Sequence, residues 1–267
     1  MPDKENTING LLEKHHAEIF NFPIVVSCMT HEEITEKETD FYRNNVMITK
    51  EAAIQLEKET RGQGHGKQRD MWLQARKIRI TGSNSYGLYT YGSRKNSNWK
   101  QKIHNTVNNS FMGNASTKYG SKAERICKEF LKETQQVIDC GLLVHPSEPW
   151  MGCSPDGLIL YNGEVCLLEI KCPVLGKSET ALRVIPTVDY VNVVDNEYKL
   201  KKRHTYYGQV QLGLFLTSTK SCLFVIFCTY DKSYISVKVD YDADFLEKYL
   251  KKLKNVYFNQ FLPFFNV

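Results

Sequence analysis

The chain has 267 residues, 42% of them hydrophobic, and a formal net charge of +5. That apolar content builds one sizeable core, so a single domain is the default, and no apolar run approaches the roughly 20 residues that span a bilayer. The polar N-terminus lacks a secretory apolar core, so the expected setting is intracellular: the nucleus in a eukaryotic source, otherwise the cytoplasm. The eight cysteines form no C-x-x-C pair, and the seven histidines show no H-x3-H or H-E-x-x-H grouping. Reduced, mostly buried thiols are therefore expected rather than a disulfide scaffold or a zinc site. The positive charge is a mild pull towards a polyanionic partner and says nothing about fold.

Residues up to about 40 are polar and weakly periodic, except FNFPIVVSCM at 20–29, which reads as a short strand or an extended packing segment. Thr49 is placed as the N-cap of a helix carrying Ala52, Ala53, Ile54 and Leu56. RGQGHGK at 61–67 is a Gly-rich basic loop without Walker spacing. It suits a DNA backbone or a plain linker. Residues 71–77 should be helical, and 79–83 should turn into the next element. Residues 86–102 interleave aromatic and basic side chains, which suits base stacking and phosphate pairing as well as it suits an ordinary surface loop. A helix over 118–134 turns Ala123, Ile126, Cys127, Phe130 and Leu131 inward, with Glu124 beside that stripe. A short strand is expected at 140–145.

The stretch MGCSPDGLILYNGEVCLLEIKCP at 151–173 reads as a β-hairpin. Asn162-Gly163 sits between two apolar, β-rich runs, and this pair supplies the positive φ that both turn positions need. With those residues as the loop, Tyr161 pairs with Glu164, Asp156 falls opposite Glu169, and Ser154 falls opposite Lys171. Opposed side chains share a face with Cβ atoms roughly 5 Å apart. Glu169 and Lys171, alternate residues of one strand, share that face too. A bulge at Pro155, which lacks an N–H, would shift this register by one residue. The plain reading is a solvated strand face with a turn aspartate. The apolar flanks bury the hairpin instead, and unpaired charge is costly there. Two carboxylates so close require a cation between them, and hard oxygen ligands select Mg²⁺ or Mn²⁺.

Beyond the hairpin, residues 174–202 read as a long connection, and the basic run at 196–204 either tracks a DNA backbone or forms a solvated turn. A buried helix is expected over 206–217. An antiparallel strand pair follows at 221–230 and 233–239, around Asp231-Lys232. In the last helix, from 243 to about 258, Lys248, Lys251, Lys252 and Lys254 are assigned to the solvated side.

Four blocks carry a resemblance. Ser154-Pro155-Asp156-Gly157 followed by Leu168-Glu169-Ile170-Lys171-Cys172-Pro173 resembles the active-site core of the phage-lambda exonuclease/YqaJ viral recombinase family, a branch of the PD-(D/E)XK nucleases. WLQARKIRITGS at 72–83 resembles that family's W-x3-R-x3-ITAS block, Tyr119-Gly120 with Glu124 its WG-x3-E helix, and YYGQVQ at 206–211 its YxxQVQ helix. The likeness runs from about Glu57 to the C-terminus, which divides the chain into an N-terminal extension of unassigned role (1–56) and a nuclease domain (57–267).

The resemblance implies an α/β (α+β) fold with a restriction-endonuclease-like core, a mixed sheet flanked by helices. It implies a metal-dependent DNA nuclease, a 5′→3′ exonuclease on double-stranded ends that serves recombination. The alternatives are a structure-specific or restriction-like endonuclease and a catalytically silent DNA-binding accessory module. Asp156 and Glu169 would hold the metal, joined by the Ile170 carbonyl and Glu124. Lys171 would position or deprotonate the attacking water. Gln209 would orient water or phosphate with its amide, or else cap sheet backbone. Arg76, Ser83 and Ser154 match the positions that grip a terminal 5′-phosphate. The implied partners are duplex DNA ends, a single-strand annealing protein and further copies of the chain, which in the phage relative form a ring. Gly82 stands where the family usually has alanine and Tyr119 where tryptophan is common. A carboxylate that some relatives carry shortly before the SPDG block has only Glu148 as a loose counterpart.

Overall fold

The computed structural model describes residues 4–26, 40–62, 66–92, 97–108 and 114–265. Parts of three expectations lie outside the described residues: 27–29 of the apolar N-terminal segment, 63–65 of the Gly-rich loop and 93–96 of the aromatic–basic stretch.

In chain order come α1 (Lys4–Glu18), α2 (Lys50–Glu59), α3 (Lys67–Lys77), β1 (Ile80–Thr81), α4 (Gly82–Tyr91), α5 (Trp99–Val107) and α6 (Ala115–Lys132). The strands β2 (Val137–Ile138), β3 (Met151–Gly152), β4 (Gly157–Tyr161) and β5 (Glu164–Lys171) follow, then the short helix α7 (Ala181–Val184). The chain continues through β6 (Val191–Val194), β7 (Glu197–Leu200), α8 (Thr205–Thr217), β8 (Ser221–Phe227), β9 (Tyr234–Asp240) and α9 (Ala243–Val256). Thr49 caps α2 as expected, its side chain accepting from the Ala52 amide.

The central sheet has the order β2-β4-β5-β8-β9. β4 and β5 are antiparallel with Tyr161 opposite Glu164, the register the Asn-Gly turn dictates, and both turn residues have positive φ. β5 then runs parallel to β8, and β8 antiparallel to β9. A strand with neighbours on both sides, and layers above and below, has no solvated face. Accordingly Leu168 and Ile170 pack with Cys127 and Leu131 of α6, while Leu167 lies in the cluster that holds Val210, Leu212 and Leu214 of α8. Gly213 permits the close seating of α8, because a Cβ there would meet the Leu167 side chain at 2.7 Å. Helix α6 touches the sheet along the narrow stripe Ala123, Cys127 and Leu131; Ile126 is 37% exposed, off that stripe and contrary to expectation.

Three expectations need correction. Residues 140–145 form no strand: Leu143 makes an isolated bridge to Cys153, and the edge strand is β2 at Val137–Ile138. The long connection contains a hairpin, β6 to β7, closed by Asp195 and Asn196, both at positive φ. Residues 86–102 are not one loop, since α4 continues to Tyr91 and α5 starts at Trp99.

Two buried carboxylates bind the N-terminal residues to the rest. Leu12, Ile19 and Phe20 are buried in the same cluster as the α8 side of the sheet. Glu148 accepts from the Trp150 indole, the Val26 amide and Lys254, and Lys254 also donates to the Val26 carbonyl. Lys254 is thus buried rather than solvated, and Glu148, with its oxygens so engaged, is a structural residue. Glu57 on α2 accepts from Arg61 and the Gly141 amide and lies 3.4 Å from His16.

Burial would raise the Glu57 carboxyl, yet the hydrogen bonds of His16, Arg61 and Gly141 reverse this and lower it from 4.5 to about 2. A depressed carboxylate stabilises the fold above its unfolded pKa, and that stabilisation is lost as pH falls through the folded value. The shift corresponds to roughly 3 kcal/mol. Urea unfolding of wild type and Glu57→Gln should therefore differ most near neutrality. The difference should shrink steadily below about pH 4.5; a difference independent of pH would mean that Glu57 stabilises by packing alone.

Candidate active site

The hairpin ladder ends at Gly157 opposite Leu168. Beyond it the chain turns away: Pro155 has no N–H to continue the ladder, and Cys153 bridges to Leu143 instead. Ser154 therefore does not lie opposite Lys171 as the extrapolated register would place it; Lys171 pairs with Ile226. Asp156, expected opposite Glu169, lies beyond the ladder and reaches β5 by its side chain, with Oδ2 accepting from the Ile170 amide at 2.6 Å. That bond aims a carboxylate across the end of β5.

Glu169 and Lys171 share a face, and Lys171 Nζ reaches Glu169 Oε1 at 2.5 Å. Glu169 is 4% exposed. Gln209, one turn into α8, donates its amide to the same Glu169 oxygen, so it neither caps backbone nor stands apart from the acidic pair. Lys171 also lies over the Tyr206 ring, 4.8 Å from its centroid. Glu124 approaches from α6 and hydrogen-bonds Asp156. Lys128, one helical turn along, donates to the Asp156 carbonyl at 3.0 Å. No sequence signal marked Lys128, a lysine among many.

Charge is unbalanced in this cluster. Burial, then the Asp156 charge and hydrogen bond, push Glu124 up to about 9. Burial raises Glu169 to about 7 against the pull of Lys171. Burial alone would lower Lys171, and the Glu169 and Asp156 charges more than reverse it. Carboxylates held this close favour a cation or a proton between them. Among the described residues no group of three or more His, Cys, Asp and Glu side chains is drawn together as a ready metal cage. That donor set still fits Mg²⁺ or Mn²⁺, which bind one or two carboxylates and fill the rest of the shell with water and substrate phosphate.

The same cavity, about 550 Å³, is lined by Arg76, Ser83 and Ser154. Arg76 stacks on Trp72, 4.2 Å from the ring centroid, and the Trp72 indole donates to Ser154 Oγ. The guanidinium bonds Ser83 Oγ at 2.7 Å, Thr81 Oγ1 at 3.3 Å and Ser154 Oγ at 3.4 Å. Burial lowers it to about 10. Among the described residues no carboxylate pairs with it. Thr81 was not singled out from the sequence, because its hydroxyl enters only through the β1–α4 turn. A larger groove, about 810 Å³, lies between the β6–β7 hairpin and β9. Its Lys199 and Lys202 are already paired with Glu197 and Asp242.

The sheet order, flanking helices and carboxylate–lysine centre define a mixed α/β protein with a restriction-endonuclease-like core. Residues 71–220 match the YqaJ-like viral recombinase domain, and the chain belongs to that family. Among solved structures it is similar to an alkaline exonuclease (LHK-Exo) from Laribacter hongkongensis, also solved in complex with dAMP. The identity is 23%, with 73% of this chain and 92% of that one covered, at a TM-score of 0.53. It is also similar to the KSHV SOX protein of an RNA complex, at 10% identity over 97% of this chain and 86% of that one, TM-score 0.51. At such identities the likeness shows the fold. No curated protein matches the chain. Among the described residues no helix is long and apolar enough to cross a membrane.

A half-buried guanidinium hydrogen-bonded to hydroxyls should bind a small oxyanion. Inorganic phosphate at about a hundred times its Kd should stabilise the metal-free protein by about 2.7 kcal/mol, read as a rise in Tm. Arg76→Met should remove most of that gain; an equal rise in the variant would place the anion elsewhere.

Proposed function

We propose that this protein is a Mg²⁺- or Mn²⁺-dependent deoxyribonuclease, a 5′→3′ exonuclease that degrades duplex DNA from 5′-phosphorylated ends during recombination. The observation that carries the reading is one cavity shared by Asp156, Glu169 and Lys171 with a half-buried arginine, Arg76, that has no carboxylate partner among the described residues. Family membership supports the recombination role, and the fold shared with an alkaline exonuclease supports the exonuclease chemistry.

In this reading Asp156 and Glu169 hold the cation, with the Ile170 carbonyl and Glu124 as further ligands. When bound, the cation would lower the pKa of a water and offset charge developing on the phosphate. Asp156 keeps its orientation through the Ile170 amide, and Gln209 steadies Glu169. Lys171 retains its proton beside two carboxylates, so it orients the attacking water as a donor rather than taking its proton. Arg76 grips the terminal phosphate through its fork of N–H groups, with Ser83 and Ser154 adding hydroxyl bonds. A site so equipped prefers a dianionic end to an internal diester. Residues 57–267 carry the machinery, and the earlier residues brace it through Glu57 and Glu148. Such resection leaves a 3′ single strand, which a single-strand annealing protein would take up.

Digestion of end-labelled linear duplex, with and without a 5′-phosphate, in Mg²⁺ and in EDTA, tests the reading. Asp156→Ala and Glu169→Ala should each abolish cleavage while duplex binding persists. Full activity in either would refute the assigned centre.

Arg76→Ala should lose roughly 1.5–3 kcal/mol, a fall of about ten- to over a hundredfold in rate on 5′-phosphorylated ends. On 5′-hydroxyl ends the loss should be much smaller. Equal losses on both would favour an endonuclease.

A further inference from the structure

Arg76 and Ser83 line two cavities. One is the active site; the other, about 700 Å³, is lined by residues of α3, α4 and α5. Its wall adds Lys77, Lys102, Asn105 and Thr106, together with backbone-exposing Gly87. The Lys102 ammonium lies against α4 where a Cβ on Gly87 would meet it at 3.6 Å, and it sits 5.5 Å from the Tyr91 ring centroid. Among the described residues no acidic side chain lines this cavity. Among the described residues no carboxylate forms an ion pair with Arg76, Lys77 or Lys102. Three cations thus line one hollow, a field that draws in a polyanion.

We propose that this second cavity is a nucleotide phosphate subsite, in which Lys77 and Lys102 hold a phosphate adjoining the one at Arg76. The proposal deepens the nuclease reading and rests on it for the kind of polyanion. The cavity is large enough for one nucleotide, and its polar wall of amides and hydroxyls offers hydrogen bonds without selecting a base. Two sources present this chemistry: the next phosphate of a bound strand, or the 5′-mononucleotide released by the reaction.

The test is binding by the full chain in EDTA, so that cleavage plays no part. The probes are a short 5′-phosphorylated duplex and 5′-dAMP. The variants are Lys77→Gln/Lys102→Gln and the charge-keeping Lys77→Arg/Lys102→Arg, each with Tm measured. Occupation by a strand predicts about a tenfold rise in duplex Kd for the Gln pair, with a salt slope smaller by about one to two. Occupation by product predicts a comparable loss for 5′-dAMP with duplex affinity kept. In either case the Arg pair should bind nearly as wild type does. Unchanged binding of both probes by the Gln pair would overturn the subsite. Equal losses in the Arg pair would overturn it as well, since packing rather than charge would then be at work. Absence of DNA cleavage by wild type in Mg²⁺ would sink the nuclease reading and leave these binding results standing on their own.

Discussion

Two opposite charges stand two residues apart on a strand that has neighbours on both edges and helices on both faces. Glu169 and Lys171 cannot reach solvent by shifting register, because β4 and β8 fix β5 from either side. The surroundings are therefore built to satisfy them. Gln209 donates from α8 to Glu169, Tyr206 lays its ring against Lys171, and the ladder ends where Asp156 can turn its carboxylate to the Ile170 amide. Replacing such a pair by apolar residues often costs nothing in stability, whereas removing one member alone costs several kcal/mol. A group retained at that risk fits a chemical role better than a structural one.

The other buried charges sharpen the contrast. Glu57 has Arg61, His16 and an amide; Glu148 has Lys254, an indole and an amide. Arg79 donates to the carbonyls of Pro149, Ala75 and Val46, so its N–H groups are spent on backbone. Arg76, in the last turn of α3, instead hydrogen-bonds hydroxyls among the described residues, and these can turn to bond an incoming anion as well. Two arginines three residues apart, one in the last turn of α3 and one just past its end, thus divide into an open clamp and a brace, distinguished by what completes their hydrogen bonds.

What could be read in the sequence follows the range of the interactions. The Asn162-Gly163 turn is local chemistry, so it gave the register and placed Asp156 beside β5; the mixed sheet and flanking helices followed from the motif order. Ser154 was misplaced because extrapolating a ladder assumes a straight strand, and the Cys153–Leu143 bridge draws the chain aside. Asp195-Asn196 closes the β6–β7 hairpin without the glycine that makes Asn162-Gly163 legible, and its flanking VNVV and EYKL runs are too short to announce strands. Lys254 was read as solvated since a helical wheel cannot reveal a carboxylate from residue 148. Thr81 and Lys128 reach the site through tertiary geometry alone, and no spacing in the sequence announces them.

The Lys254 contact with the Val26 carbonyl joins residues 228 apart. During synthesis the chain emerges from its N-terminus, so Val26 and Glu148 are both exposed long before their lysine exists. Until α9 appears, the Glu148 carboxylate, destined for the interior, has no counter-ion, and the Val26 end of the N-terminal segment lacks the lysine that ties it down. Loops of this length close late. The final helix is thus the step that seals the molecule, and the hairpin bearing the acidic pair, made of neighbours in sequence, has time to form before it.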